Sequence, residues 1–159
     1  MRLSNNILIF IIVISSILGV LVSSYLLKGY VELSDPIKAE QELLLSKCDS
    51  NGIFSCKKIA ESEYSHVLGI PVPIIGIVGY GLILLFSLAY IMYPKMRKYY
   101  IKDILLALHI GGLAFSLSLT AIEAFVIGAF CQYCLVSQAL ILISFIAMLI
   151  WYKRGESTI

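Results

Sequence analysis

The sequence predicts an all-α membrane protein: a bundle of four transmembrane helices with a helical loop on the outer, periplasmic side. Hydrophobic residues make up 60% of the 159 residues and charged residues only 14%, whereas soluble domains average about 25% charged residues. The mean hydropathy is +0.94. Four apolar stretches also reach the length of about 20 residues that a transmembrane helix requires. These observations together place the chain in a bilayer.

The same composition excludes several classes of function. The hydropathy argues against an ordinary cytosolic enzyme. The net charge is only +2, and no block of basic residues is long enough to bind a phosphate backbone, so no nucleic acid partner is expected. The surroundings that the sequence predicts are membrane lipids.

The four spans are predicted at about 7–27, 70–93, 104–130 and 131–152. In the first span, Ser16, Gly19 and Ser23 recur at helical spacing and predict a face that packs against another helix. A cleaved signal peptide is the alternative for this segment, but its apolar run is longer than the usual 7–15 residues. Trp151 and Tyr152 close the fourth span and are expected to act as interfacial anchors.

Basic residues predict the orientation in a bacterial inner membrane. Seven of the twelve basic residues lie before the first span, between the second and third, or after the fourth: Arg2, Lys95, Arg97, Lys98, Lys102, Lys153 and Arg154. The other five are lysines of the loop 28–69, where seven acidic residues dilute them. The positive-inside rule therefore places both termini in the cytoplasm and the loop 28–69 outside. Within this loop, Asp35-Pro36 predicts a helix start and Asn51-Gly52 a turn.

All four cysteines fall on the predicted outer side, which is oxidising in bacteria. Cys48 and Cys56 flank the turn in the loop, whereas Cys131 and Cys134 form a C-x-x-C at the start of the fourth helix. A helix N-terminus stabilises a thiolate, which is the species that attacks a disulfide. Two such pairs can exchange a disulfide through a mixed-disulfide intermediate.

Two other uses of these cysteines remain open. The protein could be a non-enzymatic membrane subunit held by two structural disulfides, although the short loop closed by a C-x-x-C bridge gains little stability. It could also bind zinc, but Cys48 and Cys56 do not have the usual spacing of zinc ligands, and no metal is expected.

The cysteines belong to an ordered set of motifs. Ser62 follows Cys56 by six residues, Leu-Gly-Ile-Pro-Val-Pro-Ile-Ile-Gly at 68–76 leads towards Tyr80, and Glu-Ala-Phe-Val-Ile-Gly-Ala-Phe at 123–130 leads into the C-x-x-C. This order resembles the vitamin K epoxide reductase (VKOR) family, in its bacterial disulfide-generating branch. DsbB-type quinone reductases carry their C-x-x-C in the first outer loop instead. The resemblance implies a single VKOR-like domain over 1–159, with no fused thioredoxin-like domain.

The resemblance also implies a mechanism and a role for each cysteine. A separate DsbA-like, thioredoxin-like exported protein would be oxidised by Cys48 and Cys56. Cys56 would then attack Cys131, and Cys134 would pass electrons to a membrane quinone, either ubiquinone or menaquinone. Ser62 would be the serine or threonine that the family carries in the loop.

Candidate quinone contacts are Tyr133, Gln138 and Glu123. Gln138 stands where vitamin K-reducing animal enzymes carry a tyrosine, and Val72 where they carry an asparagine, so epoxide reduction is not implied. Glu123 comes eight residues before Cys131 and is therefore expected about 12 Å deeper along the helix. It either supplies protons for quinol formation or hydrogen-bonds across helices while protonated. His109, in the same polar stripe, is expected to be a hydrogen-bonded bundle residue.

Overall fold

The structure, a computed structural model, describes residues 5–34, 54–92 and 100–156. Its elements in chain order are α1 (Asn5–Ser34), α2 (Cys56–Ala60), a 3₁₀ turn (Glu63–Ser65), β1 (His66–Val67), β2 (Ile70–Pro71), α3 (Val72–Met92), α4 (Ile101–Ile122), a π-helical turn (Glu123–Ile127) and α5 (Gln132–Glu156). Cys48, the predicted helix start at Asp35-Pro36, the predicted turn at Asn51-Gly52 and the basic stretch Lys95, Arg97 and Lys98 lie outside the described residues.

The predicted four-helix membrane bundle is confirmed. The spans long and apolar enough to cross a membrane are Asn5–Val31, Val72–Met92, Ile101–Ile127 and Gln132–Arg154. Two bounds near the cysteines differ from the prediction: the start of the second span and the end of the third. The second helix begins at Val72 rather than near Ile70, because Ile70 and Pro71 form a strand, and the third ends at Ile127 because of the π-helical turn.

Helix α1 packs closely against α3 through small residues. A Cβ atom added to Gly19 would collide with the ring of Tyr80, and one added to Gly76 would lie 2.6 Å from the hydroxyl oxygen of Ser23. Ser16 and Ser23 are buried, which confirms the packing face predicted for the first span. Without a hydrophobic driving force between helices in lipid, such close backbone approach is what stabilises their association.

The opposite end of the bundle from the cysteines holds an aromatic cluster. The Trp151 ring is buried and packs edge-on against Tyr90 at a centroid distance of 4.7 Å, while the Lys102 ammonium lies 4.8 Å from its centre. The prediction of Trp151 as an interfacial anchor did not include this burial inside the bundle. Its ring gains an aromatic and a cation–π contact inside the bundle that lipid does not offer.

A buried histidine joins α4 to α5. His109 donates a hydrogen bond from Nδ1 to the Leu105 carbonyl (2.6 Å), so its Nε2 accepts one from the Ser144 hydroxyl (2.8 Å). Both ring nitrogens are thus satisfied, and His109 is the bundle residue that the sequence predicted.

The segment between α2 and α3 is a tight β-hairpin that the sequence did not predict. β1 and β2 pair antiparallel, His66 with Pro71 and Val67 with Ile70. The two turn residues, Leu68 and Gly69, both have positive φ values, +54° and +79°, as a two-residue hairpin turn requires. Leu68 does so without the glycine or asparagine that usually signals this turn, which is why the pattern was missed. His66 also hydrogen-bonds the Tyr30 hydroxyl, and this contact ties the hairpin to α1.

Candidate thiol–disulfide site

The three cysteines within the described residues, Cys56, Cys131 and Cys134, meet at one end of the bundle. The sulfur atoms of Cys56 and Cys131 are 3.2 Å apart, and each residue is only 2% exposed. Cys56 is disulfide-bonded, whereas Cys131 and Cys134 are free thiols. A free thiol in contact with a disulfide sulfur is the arrangement that precedes thiol–disulfide exchange.

Cys56 is placed by the two residues before it. Phe54 forms a parallel β-bridge with Phe130, in which the Ser55 amide donates a hydrogen bond to the Phe130 carbonyl (3.1 Å). The Ser55 hydroxyl accepts a hydrogen bond from the Lys58 amide (3.2 Å) and so caps α2, whose first residue is Cys56. The loop segment is therefore fixed in register against the residue that precedes the C-x-x-C.

Cys131 is placed by the π-helical turn that ends the third span. The Glu123 carbonyl accepts hydrogen bonds from the amides of Gly128 (2.9 Å) and Ala129 (3.3 Å), and Gly128 adopts a left-handed conformation with φ +66°. This turn brings the Glu123 side chain back towards the C-x-x-C, where its Oε2 accepts a hydrogen bond from the Cys131 amide (3.3 Å). π-Helical turns of this kind are frequently found at functional sites.

Cys131 occupies the N-cap position of α5. Its carbonyl accepts the amide of Leu135 (3.0 Å), and its sulfur accepts the amide of Cys134 (3.3 Å), the bond that a serine or aspartate side chain makes at other N-caps. The pKa of Cys131 is lowered, chiefly by the hydrogen bond from the Cys134 side chain and also by the Cys134 and Tyr133 amides, while burial and the Glu123 carboxylate act in the opposite direction. Cys131 is therefore the favoured thiolate of the pair.

A cavity of about 320 Å³ opens beneath the cysteines, between the helices. All three described cysteines line it, together with Glu123, and its walls are otherwise mostly apolar. It extends into the bundle past small residues of α3 and α4: Gly76, Gly79, Gly111, Gly112 and Ser116. Binding sites for small molecules commonly have this size and this mixture of apolar walls with a few polar groups.

The predicted site residues differ in how they relate to this cavity. Ser62 lines it and donates its hydroxyl proton to the Ile59 carbonyl (2.7 Å) at the end of α2. Glu123 is 4% exposed, accepts a hydrogen bond from the Cys131 amide and lies within hydrogen-bonding reach of the Cys134 thiol. The structure thus brings Glu123 into direct contact with both residues of the C-x-x-C.

Tyr133 and Gln138 do not line this cavity, and their side chains contact other residues of the helices. The Tyr133 ring packs on Tyr25 at a centroid distance of 4.9 Å, and Gln138 accepts a hydrogen bond from the Thr120 hydroxyl. The Thr120 contact favours a role for Gln138 in joining α4 to α5, and its contact with a quinone stays a prediction.

Two further residues of the site, Tyr80 and Phe130, have positions that the sequence did not predict. Tyr80 is buried, lines the cavity and donates a hydrogen bond to the Ser137 carbonyl (2.6 Å), near the C-x-x-C. Phe130 supplies the carbonyl that holds the loop. The sequence could have indicated Phe130 through its position directly before Cys131, because the backbone of a neighbouring residue helps to position the reactive cysteine.

No group of three or more histidine, cysteine or acidic residues suited to hold a metal occurs within residues 5–34, 54–92 and 100–156. The fold and the site define a multi-pass membrane protein with a buried thiol–disulfide centre. Comparison with protein families gives the family: the model of the Vitamin K epoxide reductase family matches residues 10–149. The chain belongs to this family, whose members are membrane thiol oxidoreductases that are in general linked to quinones and work with thioredoxin-like partners. No curated protein sequence gave a significant match.

Proposed function

We propose that the protein oxidises a DsbA-like exported partner and passes the electrons to a membrane quinone, as in the bacterial, disulfide-generating branch of the family. The observation that carries this proposal is the 3.2 Å contact between the Cys56 and Cys131 sulfurs at the top of a cavity that Cys134 also lines. The contact supports disulfide exchange between loop and helix, and the cavity supports an acceptor beneath them.

The proposed relay balances two electrons at each step. The partner's dithiol reduces the loop disulfide, which we propose joins Cys56 to Cys48, because the other two of the four cysteines are free. The Cys56 thiolate then attacks Cys131 in a Cys131–Cys134 disulfide: a Cys56–Cys131 bond forms and the Cys134 thiolate leaves. Attack of Cys48 on Cys56 restores the loop disulfide and releases Cys131 as a thiolate. The described state, with Cys56 oxidised and the C-x-x-C reduced, corresponds to the end of this step.

Re-oxidation of the C-x-x-C transfers two electrons and two protons to the quinone, ubiquinone or menaquinone. We place the quinone ring in the cavity beside Cys134, since the glycines of α3 and α4 leave room there: a Cβ added at Gly79 or Gly111 would meet no atom within 4 Å. Glu123 contacts the Cys134 thiol and lines the same cavity. In the proposal it accepts the thiol proton and delivers it towards the reduced quinone.

The proposed setting is the bacterial inner membrane, with both termini in the cytoplasm and the cysteines on the outer face. The distribution of basic residues supports this orientation. It brings the loop cysteines to the compartment in which exported proteins acquire disulfides.

The test is quinone absorbance after mixing the detergent-purified protein with a reduced DsbA-like protein and either ubiquinone or menaquinone. We expect quinone consumption by the wild type and none by Cys134→Ser. Ser118→Ala is the matched control, since this hydroxyl bonds only within α4, to the Ala114 carbonyl. If neither quinone is consumed and the cysteines stay oxidised beside reduced partner, the protein is a subunit held by structural disulfides. Stoichiometric zinc with loss of the fold on chelation would make it a metal-binding protein instead.

A further inference from the structure

The loop and the C-x-x-C meet in a short backbone pairing that is separate from the cysteines themselves. It consists of Phe54, Ser55 and Phe130, which we call the register clamp. Phe54 and Phe130 form the parallel bridge, their rings lie 6.4 Å apart, and the Ser55 amide is bonded to the Phe130 carbonyl (3.1 Å). Each reactive cysteine comes directly after a clamp residue: Cys56 follows Ser55, and Cys131 follows Phe130.

This placement gives the clamp control over which sulfurs meet. A cysteine joined to a fixed backbone has few positions for its sulfur, because only one side-chain torsion intervenes. With Ser55 and Phe130 hydrogen-bonded, the Cys56 and Cys131 sulfurs are held in contact at 3.2 Å. Holding two reacting groups in this way raises their effective concentration.

We propose that the register clamp selects Cys56, rather than Cys48, as the loop cysteine that pairs with Cys131. The clamp residues act as positioning residues, since none of them carries a reacting atom. This inference deepens the proposed function, which assigns the exchange to Cys56 and Cys131 without saying what enforces that choice.

The selection is measurable without quinone or partner. In the full-length Cys48→Ser/Cys134→Ser variant, the remaining thiols react with oxidised glutathione to give a Cys56–Cys131 disulfide and two molecules of reduced glutathione. The fraction joined in glutathione buffers of known composition gives an effective concentration for Cys56. The Cys56→Ser/Cys134→Ser variant gives the same quantity for Cys48, and the ratio of the two is the selectivity.

We expect Phe54→Ala, Phe130→Ala and Ser55→Pro each to lower the Cys56 value and the selectivity about tenfold, which corresponds to about 1.4 kcal/mol. Loss of one backbone hydrogen bond or one aromatic contact has effects of this order. Phe125→Ala is the matched control, because Phe125 is a nearby phenylalanine that is 89% exposed. It should change neither value by more than twofold.

A selectivity that stays within twofold of the wild type in all three clamp variants overturns the inference, as does an equal loss in Phe125→Ala. Local unfolding is recognised in a Cys48→Ser/Cys56→Ser background, where the Cys131–Cys134 pair should keep its own equilibrium with glutathione. If Phe130→Ala disturbs that pair, Phe54→Ala decides, because Phe54 lies outside the C-x-x-C segment. A protein that shows clamp selectivity but never reduces a quinone would refute the proposed function and leave this inference standing.

Discussion

Replacement of Glu123 by glutamine separates the hydrogen bond that this side chain accepts from the Cys131 amide from the proton transfer proposed for it. Its Oε2 accepts a hydrogen bond from the Cys131 amide (3.3 Å), and the carboxyl group lies within hydrogen-bonding reach of the Cys134 thiol. Glutamine keeps a carbonyl oxygen for the amide but cannot accept and release a proton. Because Glu123 is only 4% exposed, bulk water has little access to the site and cannot readily take over the proton transfer. Loss of a general acid–base group typically slows a reaction about 10²–10⁴-fold, so we expect at least a hundredfold fall in quinone reduction by Glu123→Gln.

The assay follows quinone absorbance with reduced partner at neutral pH, beside disulfide exchange between Cys56 and Cys131 measured without quinone. Exchange should remain close to the wild-type rate, since the glutamine carbonyl can still accept the hydrogen bond from the Cys131 amide. Glu63→Gln is the matched control, because Glu63 is an exposed carboxylate in the 3₁₀ turn near the site. Wild-type quinone reduction by Glu123→Gln would refute the proton-transfer role and leave Glu123 as a structural hydrogen-bonding residue.

Three further predictions concern the thiol, the bundle and the cavity. Cys134→Ala removes the hydrogen bond that does most to lower the pKa of Cys131, so that pKa should rise, and alkylation of Cys131 by a small reagent should reach half its maximal rate at a higher pH; an unchanged profile would contradict this. Gly76→Ala, measured against Gly81→Ala, which meets no atom within 4 Å, should lower the free energy of unfolding by about 1–3 kcal/mol through overpacking. Gly79→Leu, on the cavity wall, should raise the KM for quinone with loop exchange unaffected, and an equal effect of Gly81→Leu would show that the cavity is not the quinone site.

The sequence predicted the parts of this fold that depend on hydropathy and small-residue spacing. Four apolar runs gave four spans, because every backbone polar group in a bilayer must be satisfied within a helix. Ser16, Gly19 and Ser23 gave the packing face of α1, since only small side chains permit that approach. The proximity of Cys56 and Cys131 came from the family resemblance rather than from any pattern in the residues.

The sequence did not predict features that depend on local backbone geometry. The π-helical turn after α4 was missed because its residues Glu123–Ile127 continue the apolar helical pattern, and only the five-residue hydrogen bond from Gly128 to Glu123 distinguishes it. The distance of about 12 Å between Glu123 and Cys131, worked from a continuous helix, was therefore wrong: the chain turns back, and the two residues are hydrogen-bonded. The inward Trp151 was missed because aromatic side chains at span ends usually face the interface.

The uneven oxidation of the cysteines sets a stoichiometry. Cys56 holds a disulfide while both residues of the C-x-x-C are reduced, so the protein in this state carries one disulfide, which accepts two electrons, where its four cysteines could form two. Under the proposed function, each molecule of the protein in a membrane whose quinone pool is fully reduced could still transfer one disulfide to one partner molecule. It could then transfer no more. Disulfide formation outside the cytoplasm would thus stop after a fixed quantity, set by the number of these molecules in the membrane and not by the supply of unfolded substrate.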